Sequence, residues 1–239
     1  MKKLLFLKRR QKTEEKTMNL ESSKNLGGIG AILILVGSLV TTYTFGVLTL
    51  IGVILVFVAL NGLANYYHER GIFTNAIYSL VAGIVGVVVA AAAALYIIFD
   101  TTILTGFLKD LYPSWNGSWS TISSLSGMTP STSSITTGDV TSILGAVFLI
   151  LVVLWVFAIV AAFFARRSLK TLSSKASVGL FKTAGLLLLI GAFLTIIFIG
   201  ALLMWIAALL IAIAFFQIKP QPERPVATAT PPPSTPTPV

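Results

Sequence analysis

The sequence predicts an all-α, polytopic transmembrane bundle of six helices arranged as three tandem hairpins. Three observations carry that prediction. The 239 residues are 56% hydrophobic and 10% charged, with mean hydropathy +0.92, against about 45–50% apolar and about 25% charged in an ordinary soluble domain. The charged residues gather at the ends of long apolar runs. The string Gly71-Ile72-Phe73-Thr74-Asn75-Ala76, with Gly83 following, recurs as Gly179-Leu180-Phe181-Lys182-Thr183-Ala184 with Gly191, and Leu26, Gly30 and Gly37 form a fainter copy. The small pairs, about two helical turns apart, fall on one face of a helix. Each copy therefore reads as the entrance to a hairpin.

Residues 1–25 read as a basic tail. Lys2, Lys3, Lys8, Arg9, Arg10, Lys12 and Lys16 can lie against anionic lipid headgroups, each contributing roughly 1 kcal/mol near the surface. Leu4 to Leu7 is too short for the apolar core of a secretory signal, which needs about 7–15 residues, so the tail is expected to persist unless the chain starts at Met18. From Leu26 to Ala64 no charge occurs, which is room for two helices of about 17–20 residues, near the minimum for a hydrocarbon layer of about 30 Å. The polar cluster Thr41-Thr42-Tyr43-Thr44, ending at Gly46, marks their turn. The link Asn65-Tyr66-Tyr67-His68-Glu69-Arg70 combines interface aromatics with charge.

The third run, Ile72 to Phe99, carries small residues at Ser79, Gly83, Gly86, Ala90 and Ala94, which let helix backbones approach closely. It is the expected central packing helix. Residues 100–139 turn rich in Ser, Thr and Gly, with Tyr112, Trp115 and Trp119 around Pro113, and read as the outward loop. The triplet Asn116-Gly117-Ser118 makes Asn116 the candidate N-glycosylation site. Thr137-Gly138-Asp139 has the polar residues of a helix start. The fourth run, Val140 to Phe164, ends at Arg166-Arg167. Helices five and six fill Leu180 to Phe216 with a turn near Gly200. A shift of 154 residues superposes Gly37 on Gly191, Thr41 on Thr195, Gly46 on Gly200 and Leu55 on Leu209, so hairpins one and three share orientation, as a parallel repeat requires. The transmembrane domain is thus 26–218, and 219–239 is a Pro- and Thr-rich solvated tail.

Charge sets the expected sidedness. Of 17 Lys and Arg, Lys109 alone falls in the central loop; the other 16 cluster at the opposite ends of the runs. By the positive-inside rule this is a multi-pass protein of the cell membrane with both termini cytoplasmic. A nucleic-acid partner would need a basic face on a folded module, and none is visible. The chain has no cysteine, which excludes disulfides, thiolate catalysis and Cys-based metal sites.

Two segments resemble a known family: Leu20-Glu21-Ser22-Ser23-Lys24-Asn25-Leu26-Gly27-Gly28-Ile29-Gly30, and Gly179-Leu180-Phe181-Lys182-Thr183-Ala184-Gly185 running to Ile190-Gly191. They are similar to an archaeal membrane-protein family catalogued as domain of unknown function 996. The resemblance covers roughly Leu20 to Lys219. It implies a multi-pass membrane protein and brings no activity, cofactor or catalytic residue.

No Asp, Glu, Lys, Arg or His falls deep inside an apolar run, and ion paths or proton relays are built on such residues. No catalytic, cofactor-binding or metal-binding residue is therefore assigned. His68 beside Glu69 lacks the partners of a metal site and reads as a solvated interface residue. Asp100 and Asp139 bracket the loop and serve more readily as helix-end groups than as a cation pair. Asn61, Asn65 and Asn75 gather near the inner ends of helices two and three. They are expected to bond across helices, about 0.6 kcal/mol each, or to line a polar vestibule. The helix-packing candidates are Gly30, Gly37, Ala76, Gly83, Gly86, Ala90, Ala184 and Gly191, with Trp155 and Trp205 as further packing residues. The expected function is that of a non-enzymatic scaffold or accessory subunit, partnered by the bilayer, by anionic headgroups and by another membrane protein or a second copy. The alternative is a small-solute transporter or channel.

Overall fold

Every apolar run is helical in the computed structural model, which describes residues 2–99, 103–133 and 135–220. The elements are α1 (Lys2–Leu39), α2 (Thr41–Thr44), α3 (Val47–Tyr66), α4 (Arg70–Phe99), α5 (Ile103–Leu111), α6 (Thr137–Ala176), α7 (Gly179–Leu194) and α8 (Ile199–Phe216), with 3-10 turns at Trp119–Gly127 and Thr195–Ile197. Among the described residues there is no strand. Six helices contain stretches long and apolar enough to cross a membrane, starting with Leu20–Leu39 of α1 and including α3, α4, α6, α7 and α8. The cost of an unpaired backbone amide in hydrocarbon explains why such runs adopt the one conformation that satisfies every N–H internally.

The six long helices close into a ring. Each packs on its neighbours in chain order, α1 on α3, α3 on α4, α4 on α6, α6 on α7, α7 on α8, and α8 returns to α1. Two links at one end of the ring reverse the chain within two or three residues. His68 and Ser177 take left-handed backbone conformations at the α3–α4 and α6–α7 corners, and Ser173 Oγ donates 2.9 Å to the Val178 carbonyl across the second corner. Glu69 from the first corner meets Lys175 at 3.0 Å.

Packing is concentrated at the end of the ring where these corners and the basic residues lie, called here the basic end. Leu20, Leu63, Ile72, Leu172, Phe181 and Phe215 are fully buried there, and the Phe181 and Phe215 rings meet edge to face with centroids 5.2 Å apart. The chain ordering differs from the expected boundary at residue 25: α1 runs through that position without a break, and Leu20 and Ser23 are already buried in the core. A helix entering the bundle at this depth needs apolar contact one turn earlier than charge alone suggests. The basic side chains before residue 20 and the Pro/Thr-rich residues 221–239 lie outside the described set.

Glycines set the closest approaches. A Cβ on Gly30 would stand 2.7 Å from the Gly52 carbonyl oxygen, and one on Gly52 would stand 2.6 Å from that of Gly30, so α1 and α3 touch backbone to backbone. Gly27 and Gly28 lie under the rings of Phe215 and Phe216, Gly37 packs on Thr49, Gly86 on Phe157, and Gly191 on Gly200 and Met204. Ala76, Ala90 and Ala184 are buried. Gly83 has nothing within 4 Å of an added Cβ; the contact with α6 is made one turn further on, by Gly86. Gly46 and Gly200, superposed by the sequence shift, also differ: Gly46 is left-handed in open space, whereas Gly200 is helical and buried.

The hairpins differ in reach. At 1.5 Å per residue α8 is about 27 Å long and α4 about 45 Å. Trp155 of α6 donates its indole N–H to the carbonyls of Ala192 (3.0 Å) and Phe193 (3.2 Å) at the end of α7, which fixes the relative levels. Beyond the Gly86–Phe157 contact, α4 runs on alone with α6 for about 20 Å to Phe99. The α4–α6 pair carries a folded cap. α5 is amphipathic through Leu104, Phe107, Leu108 and Leu111, spaced i, i+3, i+4, i+7, and Trp115 is buried against the segment that follows, its N–H 3.1 Å from Thr121 Oγ1.

Candidate functional site

The ring encloses an apolar chamber of about 480 Å³ to which all six long helices contribute. That lies within the roughly 300–1,000 Å³ of small-molecule sites. Small side chains create it. Ala31 on α1, Ala76 on α4, Ala165 on α6 and Ala201 and Ala208 on α8 face the same space, where bulkier residues would have met. Its floor is the basic-end core, reached at Leu60 and Leu169. Along α8 the lining runs from Ala201 to Ile211, about 15 Å of helix. On the α4–α6 side the wall stops early, at Ser79 and Ala165, so the chamber is open there toward the hairpin tips.

The wall's polarity is slight and mostly spent. Ser38 Oγ donates to the Leu35 carbonyl at 2.7 Å, and Ser168 Oγ reaches across to the Ile72 carbonyl at 2.6 Å. The second of these ties α6 to α4 at a position where a sequence reading sees only one more serine. Trp205 also lines the chamber, and its buried indole N–H has no hydrogen-bond partner, a shortfall worth about 1–3 kcal/mol. No ionisable side chain faces the space. Among the described residues no cluster of three His, Asp or Glu could hold a metal ion.

The polar residues singled out from sequence lie elsewhere. Asn61 and Asn65 are exposed on α3, while Asn75 Nδ2 donates 2.6 Å to the Gly71 carbonyl of its own helix. The three do not converge on the chamber. His68 is exposed at the α3–α4 corner. Beside it, hydrogen bonding and attraction from Lys175 hold the Glu69 carboxyl below the usual carboxylate range, and burial, aided by Tyr66, pushes the Tyr67 hydroxyl up to about 12. Asn116 is exposed in the cap; its side-chain oxygen accepts from the Ser118 amide (2.9 Å) and Thr121 Oγ1 (2.8 Å). Asp100 and the side chain of Asp139 lie outside the described residues.

A ring of six helices, each long and apolar enough to cross a membrane, around a chamber with no ionisable lining, defines a helical membrane protein. Comparison with known proteins gives the family. The chain belongs to the family described as "Protein of unknown function (DUF996)", whose profile matches residues 48–209. It is 28% identical over 202 residues to an uncharacterized protein of Methanocaldococcus jannaschii, an alignment covering 84% of this chain and 94% of the relative. No solved structure matches it significantly.

Proposed function

We propose that the protein is a non-enzymatic scaffold of the cell membrane that acts by holding hydrophobic matter, within its chamber and against its helices, alongside a membrane-protein partner or a second copy. The supporting observation is the chamber itself: all six long helices line it, and none offers it a charge. A hydrated ion or polar solute entering such a space would lose its water without replacement, at several kcal/mol per polar group. Reconstituted into liposomes, the protein should therefore pass inorganic ions, phosphate and small sugars no faster than protein-free vesicles. Uptake of any of them that Asn61→Leu or Asn75→Leu abolishes would replace this reading with the small-solute transporter, which the tandem hairpins favour.

The same reading puts the basic end in the cytoplasm. Ser123 in the cap and Ser174 near the end of α6 are both exposed, and the chain has no native cysteine. In intact cells an impermeant maleimide should label Ser123→Cys and leave Ser174→Cys unmodified until the membrane is opened. The reverse pattern would invert the orientation.

A further inference from the structure

The open side of the chamber is bordered by the tips of two hairpins, and neither tip carries an Asp, Glu, Lys, Arg or His. Residues 39–47 and 194–200 contain none. The large side chains of the tips, Phe45, Ile197, Phe198 and Ile199, are exposed, Phe198 at 88%. Across the gap, where the α4–α6 wall has ended, the face of α4 that carries Ala76 and Ser79 continues through Gly83 to Val87, which is exposed. Both route and destination are therefore free of charge, and the polar groups on the route include the hydroxyls of Thr42, Tyr43 and Thr44, of which Thr44 is spent on the Val40 carbonyl. Two of the three wall serines, Ser38 and Ser168, are already hydrogen-bonded to backbone carbonyls, so a polar guest would find little beyond the Ser79 hydroxyl to replace its water. A hydrocarbon chain gives up no water in crossing from lipid to such a wall. A charged head group would find no counter-ion inside.

From this combination we propose that the chamber takes up one hydrocarbon chain of a membrane lipid, which enters between the hairpin tips and the outward half of α4 and leaves its head group outside. The space suits that occupant: about 480 Å³ is roughly three times the ~150 Å³ apolar cavity that accepts benzene, and it is elongated along α8. The proposal rests on the reading of the protein as a holder of hydrophobic matter and names what is held.

Native mass spectrometry of the full-length protein, released from detergent after washing, should find one lipid per chain. Ala208→Leu and Ser79→Leu, which fill the chamber from opposite helices, should each lower that occupancy at least fivefold. Val88→Leu, on an exposed face of α4, should leave it unchanged. A measurement on the unaltered protein guards against misfolded variants: excess hexadecane, which has no head group, should displace the lipid. Lipid that survives both the filling substitutions and hexadecane is held elsewhere, and the proposal is wrong. A parent protein that binds hexadecane but never lipid also overturns it, while leaving the scaffold reading intact. Binding of neither removes both.

Discussion

Gly200→Leu is expected to pull the α7–α8 hairpin apart. A Cβ at this position would overlap the Gly191 carbonyl oxygen and the backbone of Leu194 and Thr195. Those atoms belong to the backbone of the facing helix end and cannot swing aside as the tip of a side chain can. Overpacking inside a protein usually costs about 1–3 kcal/mol, and a collision with main chain belongs at or above the top of that range. Unfolding followed by circular dichroism during titration with a denaturing detergent should give a stability loss of about 3 kcal/mol or more. Gly83→Ala supplies the contrast, because an added Cβ there meets nothing within 4 Å. Helix propensity alone then favours alanine, by up to about 1 kcal/mol. Equal midpoints for Gly200→Leu and the parent would mean that α7 and α8 do not approach as described.

Phe181→Ala should be nearly as damaging, for the opposite reason. Phe181 is fully buried in the first turn of α7, with its ring edge to face with Phe215 of α8. Removing it leaves a hole at the point where all the hairpins converge. Phe→Ala in protein interiors costs about 3–5 kcal/mol. The lower end, about 3 kcal/mol, applies here, since the alternative surroundings are lipid chains and the loss is one of packing rather than of shelter from water. A double-mutant cycle with Phe215→Ala should return a coupling of about 0.5–1.5 kcal/mol for the ring pair. Additive losses would deny that the two rings support each other.

Much of the architecture was legible because the sequence writes it in a coarse alphabet. Charge-free runs bounded by basic clusters gave six helices and their order, since burying backbone in lipid leaves one economical conformation. The chamber was not legible. Ala31, Ala165, Ala201 and Ala208 look like ordinary alanines in apolar helices, and only the rotation of six helices about their axes decides that they face one space. Ser168 and Trp155 were hidden similarly, because a hydrogen bond between helices has no local periodicity. Composition also made residues 100–139 look like plain loop, although Leu104, Phe107, Leu108 and Leu111 carried the spacing of α5. The asparagines drew attention as polar groups near apolar runs; Asn75 in fact satisfies itself on its own backbone, which a linear pattern cannot distinguish from a partner across the bundle.

The unequal reach of the hairpins bears on the lipid as much as on the protein. α4 and α6 continue about 20 Å past the level at which α7 ends, and the residues on that extension, from Val87 to Tyr96, are almost all apolar. A bilayer of uniform thickness cannot match both sets of helices: tilting shortens the long pair only in part, and the remainder is taken up by deforming the membrane, at a fraction of a kcal/mol per ångström. Lipids beside the short hairpins would be drawn inward while those beside α4 and α6 stretch, so a thickness gradient would run around the circumference of a single molecule.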